Sequence, residues 1–222
     1  QLNKLDSAIS EQKLIEFIQK LNNDKAVSGI ILQMPLPGHI DYRKISQSIA
    51  ESKDIEGISP VNLGKIIFGQ ARFIPCTAAA VMELVKHTGI DLMGKSVVIV
   101  GHSEIVGKPL SLLFLDKLAT VTVCHIGTSR VGKLSDYVAL ADILVVAVGK
   151  PGLIKGEWIK KDAVVIDVGI NRVDNKVVGD VEFETAQKRA SWITPVPGGV
   201  GPLTVTMLMR NLILAAKLQV GE

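Results

Sequence analysis

Ser96-Val-Val-Ile-Val-Gly-His-Ser-Glu-Ile-Val-Gly-Lys-Pro109 joins an unbroken Val/Ile run to a glycine turn and then to a proline where a helix opens. Such a run is the pattern of a strand buried on both faces, which is the situation in a parallel sheet covered by helices. Glycines at a strand-to-helix junction let backbone N–H groups approach an anion, above all a pyrophosphate. The spacing is not GxGxxG, because Ser103 stands where the second glycine would be and Gly107 follows four residues later. Working outward, Thr120–Cys124, Ile143–Val148 and Ala163–Val168 repeat the strand pattern, with helix-length segments between the first three. The alternation predicts an α/β protein built on a Rossmann-type parallel sheet. Turns at Val148-Gly-Lys-Pro-Gly152 and Asp167-Val-Gly-Ile-Asn171 follow the third and fourth strands. Ligands of open parallel sheets bind beyond the carboxyl ends of the strands, so these turns and the first are expected to form one nucleotide site. Asp167 reads as a buried, hydrogen-bonded turn residue ahead of a catalytic one. The second strand ends in Cys124-His-Ile-Gly-Thr128 and lacks the carboxylate that takes the ribose 2′-OH of NAD, while His102, Arg130 and Lys133 are nearby basic candidates. NADP is therefore expected, with NAD as the alternative.

The rest of the chain forms a smaller α/β unit. Ser10 caps a helix whose apolar residues Leu14, Ile15, Phe17, Ile18 and Leu21 share a face. Val27–Leu32 reads as a strand stopped by the two prolines of Gln33-Met-Pro-Leu-Pro-Gly38, and a second helix is expected after Asp41. Gln33 is an amide placed between an apolar run and a rigid loop, which suits a residue pointing into a site. The charge run Lys53-Asp-Ile-Glu56 reads either as a solvated loop or as part of that site. A third helix follows Thr77, and Leu203–Leu218 predicts a long apolar helix returning to the N-terminal part. The change of pattern sets the expected domains at 1–85 with 203–222, and at 86–202.

Composition narrows the function. The 222 residues carry 25 Lys and Arg against 22 Asp and Glu, a formal charge of +3, with 47% hydrophobic residues, which excludes a disordered or collagen-like chain. The charge forms no basic block interleaved with aromatics, so no nucleic-acid partner is expected. The apolar strand runs are far shorter than a bilayer span, and no membrane partner is expected. Cys76 and Cys124 are isolated, which suggests a reducing, cytoplasmic compartment. None of the four histidines has metal-ligand spacing, so no metal is expected. Thr194-Pro-Val-Pro-Gly-Gly-Val-Gly-Pro-Leu-Thr204 is a stiff, backbone-exposing loop that reads as lining the site.

In order along the chain, Ile31–Pro37, Lys53–Gly57, Pro75–Thr77, Gly101–Pro109, Ala147–Pro151, Asp167–Asn171 and Thr194–Thr204 resemble the blocks of the bifunctional methylenetetrahydrofolate dehydrogenase/methenyltetrahydrofolate cyclohydrolases. The resemblance implies a folate-binding domain and an NAD(P)-binding Rossmann domain in a cytoplasmic homodimer of one-carbon metabolism. It implies oxidation of 5,10-methylenetetrahydrofolate with NADP, then hydrolysis of the methenyl product to 10-formyltetrahydrofolate. By the same resemblance, Gln33 and Glu56 are the catalytic and folate-binding residues. Gln33 tunes a catalytic lysine, and Glu56 holds the amino-pyrimidine edge of the pterin. Pro197, Gly198 and Gly199 contact folate, and Gly101, His102, Ser103 and Ile170 contact the coenzyme. The sequence departs from the family at three places. Glu56 stands for an aspartate, Ile126 stands where many members carry a serine, and no tyrosine of the family's Tyr-x-x-x-Lys precedes Gln33. The chain opens on Gln1, and a preceding segment is expected to have been lost, cleaved or left out of this sequence. A nucleotide-binding relative without folate turnover and another NADP oxidoreductase on this fold stay open as alternatives. For these 222 residues alone, methenyltetrahydrofolate hydrolysis is expected not to exceed the uncatalysed rate, which the loss of methenyl absorbance with and without protein checks.

Overall fold

The computed structural model describes residues 1–221 and forms two compact units, one of residues 1–74 with the chain from Leu208 onward and one of residues 75–207. In the first unit, α1 (Glu11–Asn23) starts where the Ser10 hydroxyl accepts the Lys13 N–H at 3.3 Å. The helix α2 (Tyr42–Ser48) starts where Asp41 accepts the Arg43 N–H at 2.9 Å. Their apolar faces meet through Leu14, Ile18, Ile45 and Ile49 over Ile30 and Ile40. The helix α3 (Pro60–Ile67) is absent from the sequence reading, although Ser59 at the cap followed by proline is a start signal.

The expected strand over Val27–Leu32 does not form; a single parallel bridge joins Ile30 to Asp54. The Ile30 N–H donates to the Lys53 carbonyl at 2.8 Å, but the Leu32 N–H goes to the Glu56 carboxylate at 2.9 Å. A side chain thus takes the place a second strand would occupy, and the ladder ends after one rung.

The second unit opens with α4 (Cys76–His87), whose Ala78, Ala80, Val81 and Val85 are fully buried. The sequence reading splits this helix off at residue 85; it groups with the later chain because its buried face packs on the sheet unit. The strands are β1 (Ser96–Val100), β2 (Thr120–Cys124), β3 (Ile143–Val146) and β4 (Val164–Asp167). Between β1 and β2 lies α5 (Gly107–Leu115), which packs on α4, and between β2 and β3 lie the short α6 (Ile126–Arg130) and α7 (Leu134–Val138). A hairpin of β5 (Asn171–Val173) and β6 (Lys176–Val178) turns at Asp174 and Asn175, both with positive φ as a two-residue hairpin turn demands. The short α8 (Phe183–Ala186) leads to β7 (Trp192–Ile193).

The main sheet is parallel with order β2-β1-β3-β4-β7. The chain runs outward from β1 to β2 and then to the other side of β1 for β3, so the topological switch point lies between β1 and β3. Both β3 and β4 are shorter than the predicted runs; after β3 the Val148 N–H leaves the ladder for the Asp180 carboxylate and Gly149 turns at φ +65°. Cys76 and Cys124 are free and buried.

Finally, α9 (Val200–Val220) contributes its residues up to 207 to the second unit and the remainder to the first. By length and composition alone it reaches what a membrane crossing needs, with a mean hydropathy of 1.2 over its apolar window. One side of its part in the first unit packs inward, the partly buried Leu208, Leu212 and Leu218 lying against Ile55, Phe73 and Ala215. Asn211 donates to the carbonyls of Ile55 at 2.8 Å and Ile74 at 3.2 Å. In the second unit, Phe114 on α5 is fully buried, so Phe114→Ala is expected to cost about 3–5 kcal/mol by urea unfolding.

Candidate functional site: a cavity at the switch point

Beyond the carboxyl ends of β1, β2 and β3 lies a cavity of about 310 Å³ lined by Val100, Gly101, His102, His125, Ile126, Ser129, Ala147, Val148 and Lys150, among others. The residues come from all three strand ends, at the switch point where a doubly wound sheet binds its ligand. Gly101 has φ +123°, and a Cβ there would overlap the Ala147 carbonyl oxygen. A Cβ on Gly107 would overlap the Gly101 carbonyl, so both glycines are required by close backbone approach. The Ser103 hydroxyl accepts the Val106 N–H at 3.2 Å, and this bond shapes the turn. His102 and His125 meet edge to face at 5.2 Å. His125 also caps α6, its Nδ1 accepting the Gly127 N–H at 3.1 Å, which puts the proton of a neutral ring on Nε2.

Of the basic candidates, His102 lines the cavity, whereas Arg130 and Lys133 lie outside its wall and Lys133 pairs with Asp136 at 3.2 Å. Ser129, one helical turn past Ile126, lines the cavity and was not singled out from the sequence. A position three residues after the strand-end Ile126 shares its helix face, which is the signal that would have found it. Ile170 is exposed in the turn after β4.

Asp167 is buried and accepts N–H bonds from Gly169 at 2.9 Å, Asp180 at 3.0 Å and Val181 at 2.9 Å. Burial pushes its carboxyl above the ordinary range; the N–H bonds work the other way and the neighbouring Asp180 adds to the rise. Its own N–H donates to the Thr194 hydroxyl at 2.8 Å, which anchors the start of the 194–199 loop. In that loop the Val196–Pro197 bond is cis, Gly198 has φ +104°, and a Cβ on Gly199 would meet the Pro195 carbonyl. Only glycine fits these two places, which leaves the loop backbone bare at Gly198.

In the first unit, Gln33 is exposed, its amide donating to the Met34 carbonyl at 2.9 Å ahead of the cis Met34–Pro35 bond. The Glu56 carboxylate accepts the N–H of Leu32, the residue just before Gln33, at 2.9 Å. Burial raises the Glu56 carboxyl; the Leu32 bond opposes this and Asp54 adds to it. The charge run is not a solvated loop. Lys53 and Asp54 are buried, with the Lys53 ammonium donating to the Leu21 carbonyl at 2.9 Å and the Asp24 carbonyl at 2.6 Å. Asp54 accepts the Ser59 N–H at 2.7 Å and the Asn62 amide at 2.8 Å. No group of three or more potential ligands able to hold a metal occurs among the described residues.

A parallel sheet with a cavity at its switch point, open to the backbone of Gly101, defines an NAD(P)-binding domain of the oxidoreductase class. Residues 75–220 match the model of the tetrahydrofolate dehydrogenase/cyclohydrolase NAD(P)-binding domain, and residues 1–56 match that family's catalytic domain. The chain belongs to the tetrahydrofolate dehydrogenase/cyclohydrolase family. It is 56% identical over 216 residues to the bifunctional protein FolD of Acetivibrio thermocellus, a match covering 97% of this chain and 75% of that protein. With Bacillus subtilis FolD the identity is 49% over 217 residues, covering 97% and 76%. The crystal structure of the Campylobacter jejuni bifunctional enzyme superposes with a TM-score of 0.93 at 46% identity, covering 97% of this chain and 76% of that one. The Trypanosoma brucei enzyme, solved with NADP cofactor and inhibitor, superposes at 0.91 with 41% identity, covering 97% and 75%.

Gly101→Ala is expected to destabilise the fold by about 1–3 kcal/mol or more through left-handed strain and to weaken coenzyme binding, both measurable by melting with and without NADP. For Glu56, whose folded value is raised, the folded state holds a proton that the unfolded chain has released, so stability falls as pH rises through that window. The melting-temperature gain of Glu56→Gln over the native protein is therefore expected to be larger at about pH 8 than at about pH 4.

Proposed function

We propose that this chain oxidises 5,10-methylenetetrahydrofolate to 5,10-methenyltetrahydrofolate with NADP and takes part in opening the product to 10-formyltetrahydrofolate. The observation carrying the coenzyme assignment is the cavity at the switch point. Its β2 end, Cys124-His125-Ile126, has no carboxylate to repel a 2′-phosphate, and two imidazoles line it. The cavity's size lies in the range of ligand sites, and its bare glycine backbone suits a pyrophosphate. Gly101, His102 and Ser103 would hold the phosphate end, and Ile126 would offer an apolar surface to the adenosine. When bound, NADP supplies the hydride acceptor.

The protein's own part is mostly placement. The raised carboxyl of Glu56 recognises the amino-pyrimidine edge, where a carboxylate accepts paired N–H bonds. The loop Pro197-Gly198-Gly199 would contact the folate, and Ile170 the coenzyme. Ring opening needs water addition with proton transfer at a positioned base. An amide moves no proton itself, so Gln33 orients the water or tunes the base. One observation favours a second reading, nucleotide binding without folate turnover: Glu56 is engaged with Leu32 of its own unit.

Two further elements belong to the reading. Buried free thiols, with Cys124 pushed up by burial, suit a reducing compartment. Edge strand β2 with exposed Leu115, Leu118 and Val131 nearby in sequence suits a homodimer, to be checked by sedimentation. The main test follows nicotinamide reduction with methylenetetrahydrofolate and either nucleotide. A higher kcat/KM with NADP is expected. Turnover with NAD alone would refute the coenzyme assignment, and NADP binding with no turnover would select the second reading.

A further inference from the structure

Asp180 is fully buried, and its carboxylate accepts four hydrogen bonds. Oδ2 takes the N–H groups of Val148 at 2.7 Å and Gly149 at 3.0 Å; Oδ1 takes that of Lys150 at 2.8 Å and the Asn171 amide at 2.9 Å. The three backbone donors are consecutive and belong to the turn after β3. Gly149, with φ +65°, bends the chain so that successive N–H groups converge, the concave arrangement that ordinarily captures an anion. Here the anion is the protein's own side chain.

The clamp is itself fixed. The Asp180 N–H donates to Asp167, and Asp167 also takes the N–H groups of Gly169 and Val181. Space for the two carboxyl groups exists only because residues 169 and 179 are glycine. A Cβ on Gly169 would strike Asp180, and one on Gly179 would strike Asp167. Asp180 does not line the cavity, but Val148 and Lys150, which it holds, do.

We propose that Asp180 is a positioning residue for the coenzyme: its carboxylate clamps Val148–Lys150 in the shape that walls the cavity, so that this wall is set before the nucleotide arrives. The proposal rests on the coenzyme reading above. Removing the clamp leaves three adjacent N–H groups to find other partners, and the turn is then free to sample shapes that do not fit the ligand.

Asp180→Asn keeps the side chain's size but replaces one accepting oxygen with an NH₂ group. Hydrogen exchange of the Val148–Lys150 amides is expected to quicken about tenfold, as a 1.4 kcal/mol loss of local stability requires, while β3 amides stay protected. The NADP dissociation constant and KM are expected to rise about tenfold, with kcat at saturating NADP and the folate KM changing less than about twofold. A merely structural role would lower activity without this split. Amides that stay protected would overturn the proposal, as would released amides with unchanged NADP affinity. If Asp180→Asn does not fold, Asn171→Ala, which removes one of the four donors, is expected to shift NADP affinity in the same direction, and unchanged affinity in that variant would overturn the proposal equally. Failure of the native protein to bind NADP would refute the coenzyme reading instead, and amide exchange in Asp180→Asn would still decide whether the clamp exists.

Discussion

Buried backbone N–H groups must find acceptors, and at the ends of β3 and β4 the acceptors are two aspartates. A parallel strand that stops inside the protein leaves the donors of its exit turn away from water. Asp180 satisfies the turn after β3, while Asp167, at the end of β4, satisfies Gly169 and the chain that carries Asp180 itself. Through its own N–H, Asp167 also holds Thr194 and so the loop that ends at Gly199. The turn that walls the cavity and the 194–199 loop thus share one anchor. Burial pushes the Asp167 carboxyl upward, and the neighbouring Asp180 adds to the rise.

The first unit uses the same device with different residues. Asp54 accepts from Ser59 and Asn62, Lys53 donates to the carbonyls at the end of α1, and Asn211 ties the returning helix to Ile55. Glu56 is therefore held on both sides of its position by buried polar bonds, which lets a single carboxyl be presented with little conformational freedom. Sites placed on such braced segments lose little entropy on binding.

The α/β class, the four long strands and the cap of α1 were legible because each depends on local periodicity and a local capping residue. Gly101 of the first turn lines a cavity, at the strand end where the glycine pattern placed it. What local pattern could not reveal depends on distant partners. Val27–Leu32 has strand composition, yet the chain offers it a side chain in place of a ladder. The burial of Lys53 and Asp54 follows from α1 and α3, which no window around residue 53 contains. Asp180 lies in a stretch that looks like an ordinary polar turn, and its importance is set by amides some thirty residues earlier. The family resemblance implies residue roles that periodicity does not encode, such as those of Ile170 and Pro197.

The buried thiols have a use of their own. Cys76 begins α4 and Cys124 ends the edge strand β2, both inside the sheet-bearing unit and both buried in the folded state. A pulse of alkylating agent would mark each sulfur only when its surroundings open, so the native chain already contains two reporters, one on a covering helix and one at a strand terminus, that can tell partial from complete melting of that unit without any engineered label.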